Sequence, residues 1–313
     1  MAEMRVVLKE WLQQAMAADD RIMVIDADLA KASGTHGLRE IYPERAIDVG
    51  IAEANMTSVA AGLSSYGFVP FITSFAPFVT RRICDQLMLS VAYAQQNVKI
   101  VGTDPGITAE LNGGTHMGNE DISVIRGIPN IVIFEPVDTI QLAAALPQIV
   151  KHYGPVYIRL FRKAIADVFT ANDYKFDLFK ADTIKQGKDV SIFASGIMVQ
   201  ESLAAIKLLE AEGIDAELIN IHTIKPIDAE AIINSAKKTG CVVTAENHNI
   251  IGGLRSAVSE VLSENYPVPV RSIGILDRFG EVGKLPYLMK EFKMTAEDIA
   301  NKAKEVVALK KQK

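Results

Sequence analysis

The chain has 313 residues, a formal net charge of −5, 49% hydrophobic residues and 23% charged residues. This composition is typical of a folded globular protein and excludes an intrinsically disordered chain. No basic run offers a surface for nucleic acid, and no apolar stretch reaches the ~18 residues that a membrane span needs, so we expect neither kind of partner. A prior of roughly 150 residues per domain predicts two domains.

Residues 1–20 mix acidic and basic side chains with apolar residues at helical spacing. They predict a folded amphipathic helix and not a signal peptide. The two cysteines, Cys84 and Cys241, match no metal or redox spacing. Two isolated cysteines in a chain of this size indicate a reducing, cytoplasmic location.

Short apolar runs alternate with helical patterns along the rest of the chain. In the first half, strands are predicted at 21–26, 46–50, 68–72, 98–103, 130–136 and 155–161, and helices at 51–65, 79–95 and 138–151. In the second half, strands are predicted at 190–195, 216–221, 241–246 and 269–275, and helices at about 198–211, 228–237, 252–264 and near the C-terminus. Apolar strands separated by helices predict an α/β fold with two open, mostly parallel sheets covered by helices.

The alternation is interrupted once, between about 163 and 187, where charges, aromatic residues and turn residues are mixed. This stretch predicts a connection between two packed units. We therefore expect a first domain at 1–165, a linker at 166–187 and a second, smaller domain at 188–313.

One acidic residue, Glu53, lies among apolar and small residues directly after a predicted strand. In open α/β sheets, ligands bind beyond the carboxyl ends of the strands. A carboxylate in apolar surroundings costs several kcal/mol unless it is paired or protonated. Either Glu53 lies near the surface at a favourable helix start, worth under ~1 kcal/mol, or something nearby needs its carboxyl.

Two later stretches also have both a structural and a functional interpretation. Phe71, Phe75 and Phe78 follow one another closely, and they either fill a core or hold a heteroaromatic ring by stacking. The glycine-rich stretch 104–121 contains His116, which is either an ordinary loop histidine or a side chain suited to proton transfer near neutral pH. The glycines favour a site, because they let backbone approach a ligand closely.

In chain order, these stretches resemble the transketolase family, and the resemblance extends over nearly the whole chain. The matching motifs are "ADLAKASGT" (27–35), "DVGIAEANM" (48–56), "SFAPFVTRR" (74–82), "NGGTHMGNED" (112–121), "RGIPNIVIFEPVD" (126–138), "GPVYIRLFRK" (154–163), "INIHTIKPID" (219–228) and "TAENHNIIGGLRSA" (244–257). The chain is similar to the second half of a transketolase, with the pyrimidine-binding domain first and the transketolase C-terminal domain second.

The resemblance implies residues that bind thiamine diphosphate. Glu53 would bond a ring nitrogen of the aminopyrimidine and favour the imino tautomer, which removes the thiazolium C2 proton. Phe75 would stack on that ring, and Phe78 would pack beside it through apolar contact alone. Asp28 matches a residue that lies in a loop near the cofactor in relatives. The alternative interpretation is that Asp28 is an ordinary carboxylate in a turn.

The resemblance also implies residues that bind the sugar. His116, a catalytic candidate with Glu53, would orient the sugar's oxygens, and Arg162 would bind a sugar phosphate as a bidentate partner or else lie on the domain surface. Asn112 replaces an aspartate that is usual in the family. Asparagine keeps the size, loses the charge and can donate as well as accept a hydrogen bond, so the sugar is expected to be an unusual one.

The family holds the diphosphate and its divalent metal through a motif that begins GDG, and no GDG occurs in this sequence. The resemblance therefore implies a split enzyme. A separate N-terminal subunit would carry the diphosphate-binding domain and Mg²⁺ or another divalent cation, this chain would hold no metal ligand, and the two would form an α2β2 heterotetramer. We rate His222 and His248 as structural, because the C-terminal domain, which mainly supports dimerisation, lies outside the chemical centre in the family's members.

The expected activity is transfer of a two-carbon ketol unit from a ketose, free or phosphorylated, to an aldose acceptor. Two alternatives stay open. The chain could belong to an enzyme that decarboxylates an oxoacid, as the β subunit of a 2-oxoacid dehydrogenase E1 or as a deoxyxylulose phosphate synthase, which share the architecture. It could instead be a non-catalytic subunit that stabilises another transketolase.

Overall fold

A computed structural model describes residues 2–310. It contains two sheets, and the structure confirms the predicted α/β class. The strands are β1 (Ile22–Asp26), β2 (Ala46–Asp48), β3 (Val69–Phe75), β4 (Lys99–Thr103), β5 (Val132–Phe134), β6 (Val156–Leu160), β7 (Asp182–Lys185), β8 (Val190–Ala194), β9 (Ala216–Asn220), β10 (Thr223–Lys225), β11 (Val242–Asn249) and β12 (Val270–Ile275).

The helices fill the connections between these strands. They are α1 (Met4–Ala18), α2 (Ala30–Ser33), α3 (Leu38–Ile41), α4 (Glu53–Ser65), α5 (Cys84–Gln86), α6 (Asp121–Arg126), α7 (Thr139–Lys151), α8 (Met198–Ala211), α9 (Ala229–Thr239), α10 (Leu254–Asn265), α11 (Leu285–Glu291) and α12 (Ala296–Lys310). Over residues 2–310, none of the helices is long and apolar enough to cross a membrane.

The first sheet has seven strands in the order β10-β5-β6-β4-β3-β1-β2. All neighbours are parallel except β10, which runs antiparallel to β5. The second sheet has the order β12-β11-β8-β9-β7, and only β7 is antiparallel to its neighbour. Most strands are buried along their whole length, as expected for parallel sheets covered on both faces.

Helix α1 shows how the sequence pattern becomes packing. Its buried residues are Met4, Leu8, Leu12 and Met16, which recur every four positions and therefore lie on one face. They belong to the larger apolar core, together with the buried face of α7. The predicted amphipathic helix at the N-terminus is confirmed.

Three local predictions differ from the structure. The predicted helix 79–95 is a 3₁₀ turn at Arg81–Ile83, the short helix α5 and a π-helical segment at Leu87–Tyr93. The predicted linker 166–187 contains β7, which pairs with β9 of the second sheet. Strand β10 was not predicted; it follows β9 in the chain but pairs with β5 of the first sheet, so the chain of the second half also contributes to the first sheet.

Candidate active site

Glu53 lies in the first turn of α4, just beyond the carboxyl end of β2. The turn before the helix contains Gly50 at φ +74, a conformation that favours glycine. Glu53 is buried, with 4% of its surface exposed, and its Oε1 accepts a hydrogen bond of 2.7 Å from Nη1 of Arg82. The carboxyl is therefore paired with a guanidinium as well as lying at a positive helix end.

Arg82 was not singled out from the sequence. Its guanidinium carbon lies 3.7 Å from the centroid of the Phe78 ring, and its side chain is 44% exposed. The guanidinium thus links the Glu53 carboxyl to the neighbouring aromatic side chains through an ion pair and a cation–π contact. The sequence places Arg82 in the same motif as Phe75 and Phe78, but nothing local indicates which way its side chain points.

Three rings form a cluster that we call the aromatic group: Phe75, Phe78 and His116. The ring centroids are 5.9 Å apart for Phe75 and Phe78, 5.7 Å for Phe75 and His116, and 5.2 Å for Phe78 and His116. Phe75 ends β3, and His116 lies in the loop that follows β4. The structure therefore brings together four residues that the sequence singled out, Glu53 and the aromatic group, at the carboxyl edge of the first sheet.

Two arginines converge next to this group, and we call Arg5 and Arg162 the arginine pair. Nη1 of Arg162 donates to the carbonyl oxygen of Ala32 at 3.1 Å, and Nη1 of Arg5 donates to the same oxygen at 3.2 Å. The guanidinium carbon of Arg162 also lies 5.5 Å from the ring centroid of Phe75. Arg5 was missed in the sequence, because it meets Arg162 only through tertiary pairing of the start of α1 with the chain after β6.

Asp104 provides the counter-charge for Arg162. Its carboxylate lies 2.7 Å from Nε of Arg162, and only 1% of its surface is exposed. Burial raises the pKa of the Asp104 carboxyl to about 6, against the lowering effect of Arg162. Nε of Arg5 lies 2.7 Å from a carboxylate oxygen of Glu3. The arginine pair is therefore held by two carboxylates, Asp104 and Glu3, and by one carbonyl oxygen.

Two other candidates, Asp28 and Asn112, make no side-chain hydrogen bond to the aromatic group among residues 2–310. Asp28 is on the exposed turn after β1, at φ +61, and its backbone N–H donates to Asp48. Among residues 2–310, no hydrogen bond or ion pair joins its side chain to Glu53. Asn112 is exposed, at the end of a 3₁₀ segment four residues before His116.

The two histidines of the second half are buried. Nε2 of His222 lies 2.8 Å from the carbonyl oxygen of Lys180, and its Nδ1 lies 2.9 Å from the hydroxyl of Thr223. Burial lowers the pKa of both His222 and His248 to about 4. Both imidazoles are therefore neutral at pH 7, which agrees with a structural role.

Comparison with known proteins agrees with this geometry. The family model for the transketolase pyrimidine-binding domain matches residues 1–167, and that for the transketolase C-terminal domain matches residues 179–299. The chain belongs to the transketolase family. Membership implies thiamine diphosphate as the cofactor, and the chain is an enzyme subunit that acts as part of a multi-subunit complex.

Individual relatives are of the split kind. A 6-deoxy-6-sulfo-D-fructose transketolase subunit from Clostridium sp. (strain MSTE9) is 56% identical over 292 residues, which cover 93% of this chain and 90% of the relative. An apulose-4-phosphate transketolase subunit from Phocaeicola vulgatus is 36% identical over 293 residues, covering 93% of this chain and 94% of the relative. A solved structure described as an inactive β4 tetramer of a split-gene transketolase has a TM-score of 0.90 and 40% identity, with 99% of each chain covered.

The residues present fit the aminopyrimidine half of the cofactor. Glu53 offers a carboxyl whose Oε1 alone is bonded to Arg82, which leaves the other oxygen free to hold a proton shared with a ring nitrogen. Phe75 and Phe78 add apolar ring surface beside it. A flat heteroaromatic ring with a basic nitrogen matches this set of groups.

Proposed function

We propose that this chain is the subunit of a split transketolase whose donor is a sulfonated ketose, and that 6-deoxy-6-sulfo-D-fructose is that donor. The relative named for this sugar is 56% identical. The observation that carries the proposal is the arginine pair beside Phe75. A guanidinium has five N–H donors. The bonds of Arg5 to Glu3 and Ala32, and of Arg162 to Asp104 and Ala32, use Nε and Nη1, so donors on Nη2 of both arginines stay available for a terminal anionic group.

In this proposal, some residues of the chain bind the cofactor and others bind the sugar. Glu53 binds the ring nitrogen of the aminopyrimidine and biases its tautomer, and Phe75 and Phe78 hold the ring and exclude water. The cofactor supplies the nucleophilic carbon that accepts the two-carbon unit. His116 donates to oxygens of the sugar, and the arginine pair binds the sulfonate. Breaking the C2–C3 bond of the donor leaves a four-carbon sulfonated aldose. Asp28 has no role in this proposal.

The complex is proposed to be an α2β2 heterotetramer in the cytoplasm. The partner subunit would contribute the diphosphate-binding domain and the Mg²⁺ ion or other divalent cation. The similar split-gene structure is described as inactive when it contains β subunits alone, which supports a need for a partner. The two free cysteines support a reducing compartment.

Arg162→Lys in the reconstituted complex is expected to lower kcat/KM for the sulfonated donor by roughly 10- to 100-fold. Lysine lacks the planar guanidinium that donates two parallel hydrogen bonds to an anion, and a hydrogen bond to a charged group is worth about 1.5–3 kcal/mol. Erythrulose, an uncharged ketose, should be used equally well by both proteins. The assay is steady-state ketol transfer with each donor. Arg5→Lys should act in the same direction.

Arg255→Lys is the matched control, since Arg255 lies on the exposed side of α10. An equal loss for the charged and the uncharged donor would show that Arg162 supports the fold of the site and does not bind the anion. The proposed donor class would then lose its main support.

Asn112→Asp is expected to shift preference from the sulfonated donor toward ordinary sugar phosphates. Aspartate restores the carboxylate that is usual in the family, which accepts a hydrogen bond from a sugar hydroxyl. A shift of roughly 10- to 100-fold in relative kcat/KM follows from the value of one charged hydrogen bond. The measurement is a donor panel run on both complexes, with the exposed Asn172→Asp as the charge-matched control. Identical ranking of donors would make Asn112 a neutral replacement.

A further inference from the structure

The second half of the chain contacts the loop that carries His116. This loop, residues 104–121, connects β4 to α6 of the first half, and we call it the substrate loop. It holds four glycines and little regular structure apart from a 3₁₀ segment. A glycine-rich loop holds one conformation only when other parts of the molecule fix its backbone.

Asn247 of β11 fixes the start of the substrate loop. Its Oδ1 accepts a hydrogen bond of 3.0 Å from the backbone N–H of Ile107, and its Nδ2 donates to the carbonyl oxygen of Pro105 at 2.9 Å. Only 1% of the Asn247 surface is exposed. One buried amide therefore bonds the backbone on both sides of Gly106, in the manner of a neighbouring strand.

Gly106 shows how closely the two segments approach. Its φ is +56, and a Cβ at this position would lie 2.3 Å from both the backbone oxygen and Oδ1 of Asn247. Any side chain at residue 106 would therefore push the loop away from β11. The glycine is required here by close approach as well as by its backbone conformation.

Other residues of the second half of the chain hold the rest of the substrate loop. The backbone N–H of Asn249 donates to the carbonyl oxygen of Asn119 at 2.8 Å, and the backbone N–H of Leu285 donates to Glu110 at 2.9 Å. Gly114 packs against the backbone of Gly280, where an added Cβ would lie 2.5 Å from the carbonyl oxygen. The loop is thus fixed at its start, middle and end by the second half of the chain.

Asn247 is itself held by a buried charge network that belongs to the first half. Its carbonyl oxygen accepts a 2.7 Å hydrogen bond from Nη2 of Arg159 on β6. Arg159 is fully buried and is paired with Asp121 at 2.8 Å and with Glu135 at 2.5 Å. Because every partner is buried, the position of Asn247 relative to β6 has little freedom.

We propose that Asn247 is a positioning residue for ketol transfer. By bonding the backbone of residues 105–107, it fixes the substrate loop and so holds His116 against Phe75 and Phe78. This inference rests on the proposed role of His116. It gives the second half of the chain a part in arranging the active site, beyond the dimerisation that the family resemblance implies for it.

The test uses Asn247→Ala in the reconstituted complex, with hydrogen exchange followed by mass spectrometry on peptides that cover 104–112. We expect faster exchange in these peptides and unchanged exchange in α9. We also expect kcat to fall by roughly 10- to 100-fold with a smaller change in KM, because a misplacement of about 1 Å can cost roughly 10²-fold in rate. The exposed Asn265→Ala should match the unchanged protein in both measurements.

If Asn247→Ala does not fold, Gly106→Ala provides the second variant, because it separates the loop from Asn247 without altering β11. Faster exchange with a lower kcat supports the inference. Unchanged exchange overturns it, and faster exchange with an unchanged kcat overturns the positioning role. His116→Ala distinguishes the two proposals: full activity in that variant would remove the proposed role of His116, while the exchange result would still report on the contact of Asn247.

Discussion

Replacing Glu53 by glutamine in the two-subunit complex is expected to lower kcat by roughly 10²-fold or more, in the range of general acid–base catalysis. Glutamine has the same shape, and its carbonyl oxygen still accepts the hydrogen bond from Arg82. The amide cannot hold or release the proton that the carboxyl shares with the aminopyrimidine. The fold should survive, because the Arg82 side chain is 44% exposed and remains solvated. Steady-state kinetics at saturating thiamine diphosphate provide the measurement.

Glu44→Gln is the matched control, since Glu44 is exposed and lies outside the site. It should leave kcat unchanged. Near-normal turnover of the Glu53→Gln complex with saturating cofactor would falsify the role given to this carboxyl. That outcome, with the complex still assembled, would favour the alternative of a non-catalytic stabilising subunit.

The second large effect concerns the chain on its own. We expect the purified chain to be folded but inactive, and to bind thiamine diphosphate weakly or not at all. Its two sheets bury continuous apolar strands, so folding does not depend on the cofactor. The charge of a diphosphate must be balanced by a metal or by backbone amides. Glu53 and the aromatic group would bind only the aminopyrimidine ring of the cofactor.

Isothermal titration calorimetry of the isolated chain with thiamine diphosphate and magnesium measures this directly. Adding the partner subunit should restore both binding and turnover. Tight binding to the isolated chain would reveal a phosphate site within it. Release of carbon dioxide from pyruvate by the reconstituted complex would instead favour the decarboxylating alternative.

The sequence predicted the sheets well because buried parallel strands are continuous apolar runs. All ten predicted strands exist, with ends shifted by a few residues. Two further strands, β7 and β10, were not predicted. Strand β10 has only three residues, and β7 lies in a polar stretch and is only partly buried. Such segments become strands through pairing with a distant neighbour, which local patterns do not report.

The sequence singled out candidate site residues where they lie in compact motifs. Phe75, Phe78 and His116 lie in contact, and Arg82 links Glu53 to Phe78; the roles that the family resemblance implies for these residues stay predictions. Partners contributed from distant segments were missed. Arg5 joins Arg162 only because α1 packs at the end of β6, and this kind of contact depends on tertiary structure.

The most direct measurement is the rate of ketol transfer from 6-deoxy-6-sulfo-D-fructose to an aldose acceptor, with fructose 6-phosphate as the competing donor. We predict that transfer appears only when this chain and its partner subunit are combined with thiamine diphosphate. We also predict that kcat/KM is at least about tenfold higher for the sulfonated donor. This is the difference that one charged hydrogen bond would provide if the site made it to the sulfonate and not to the phosphate. An equal or higher kcat/KM for fructose 6-phosphate would contradict the proposed donor, and transfer by the isolated chain would contradict the split active site.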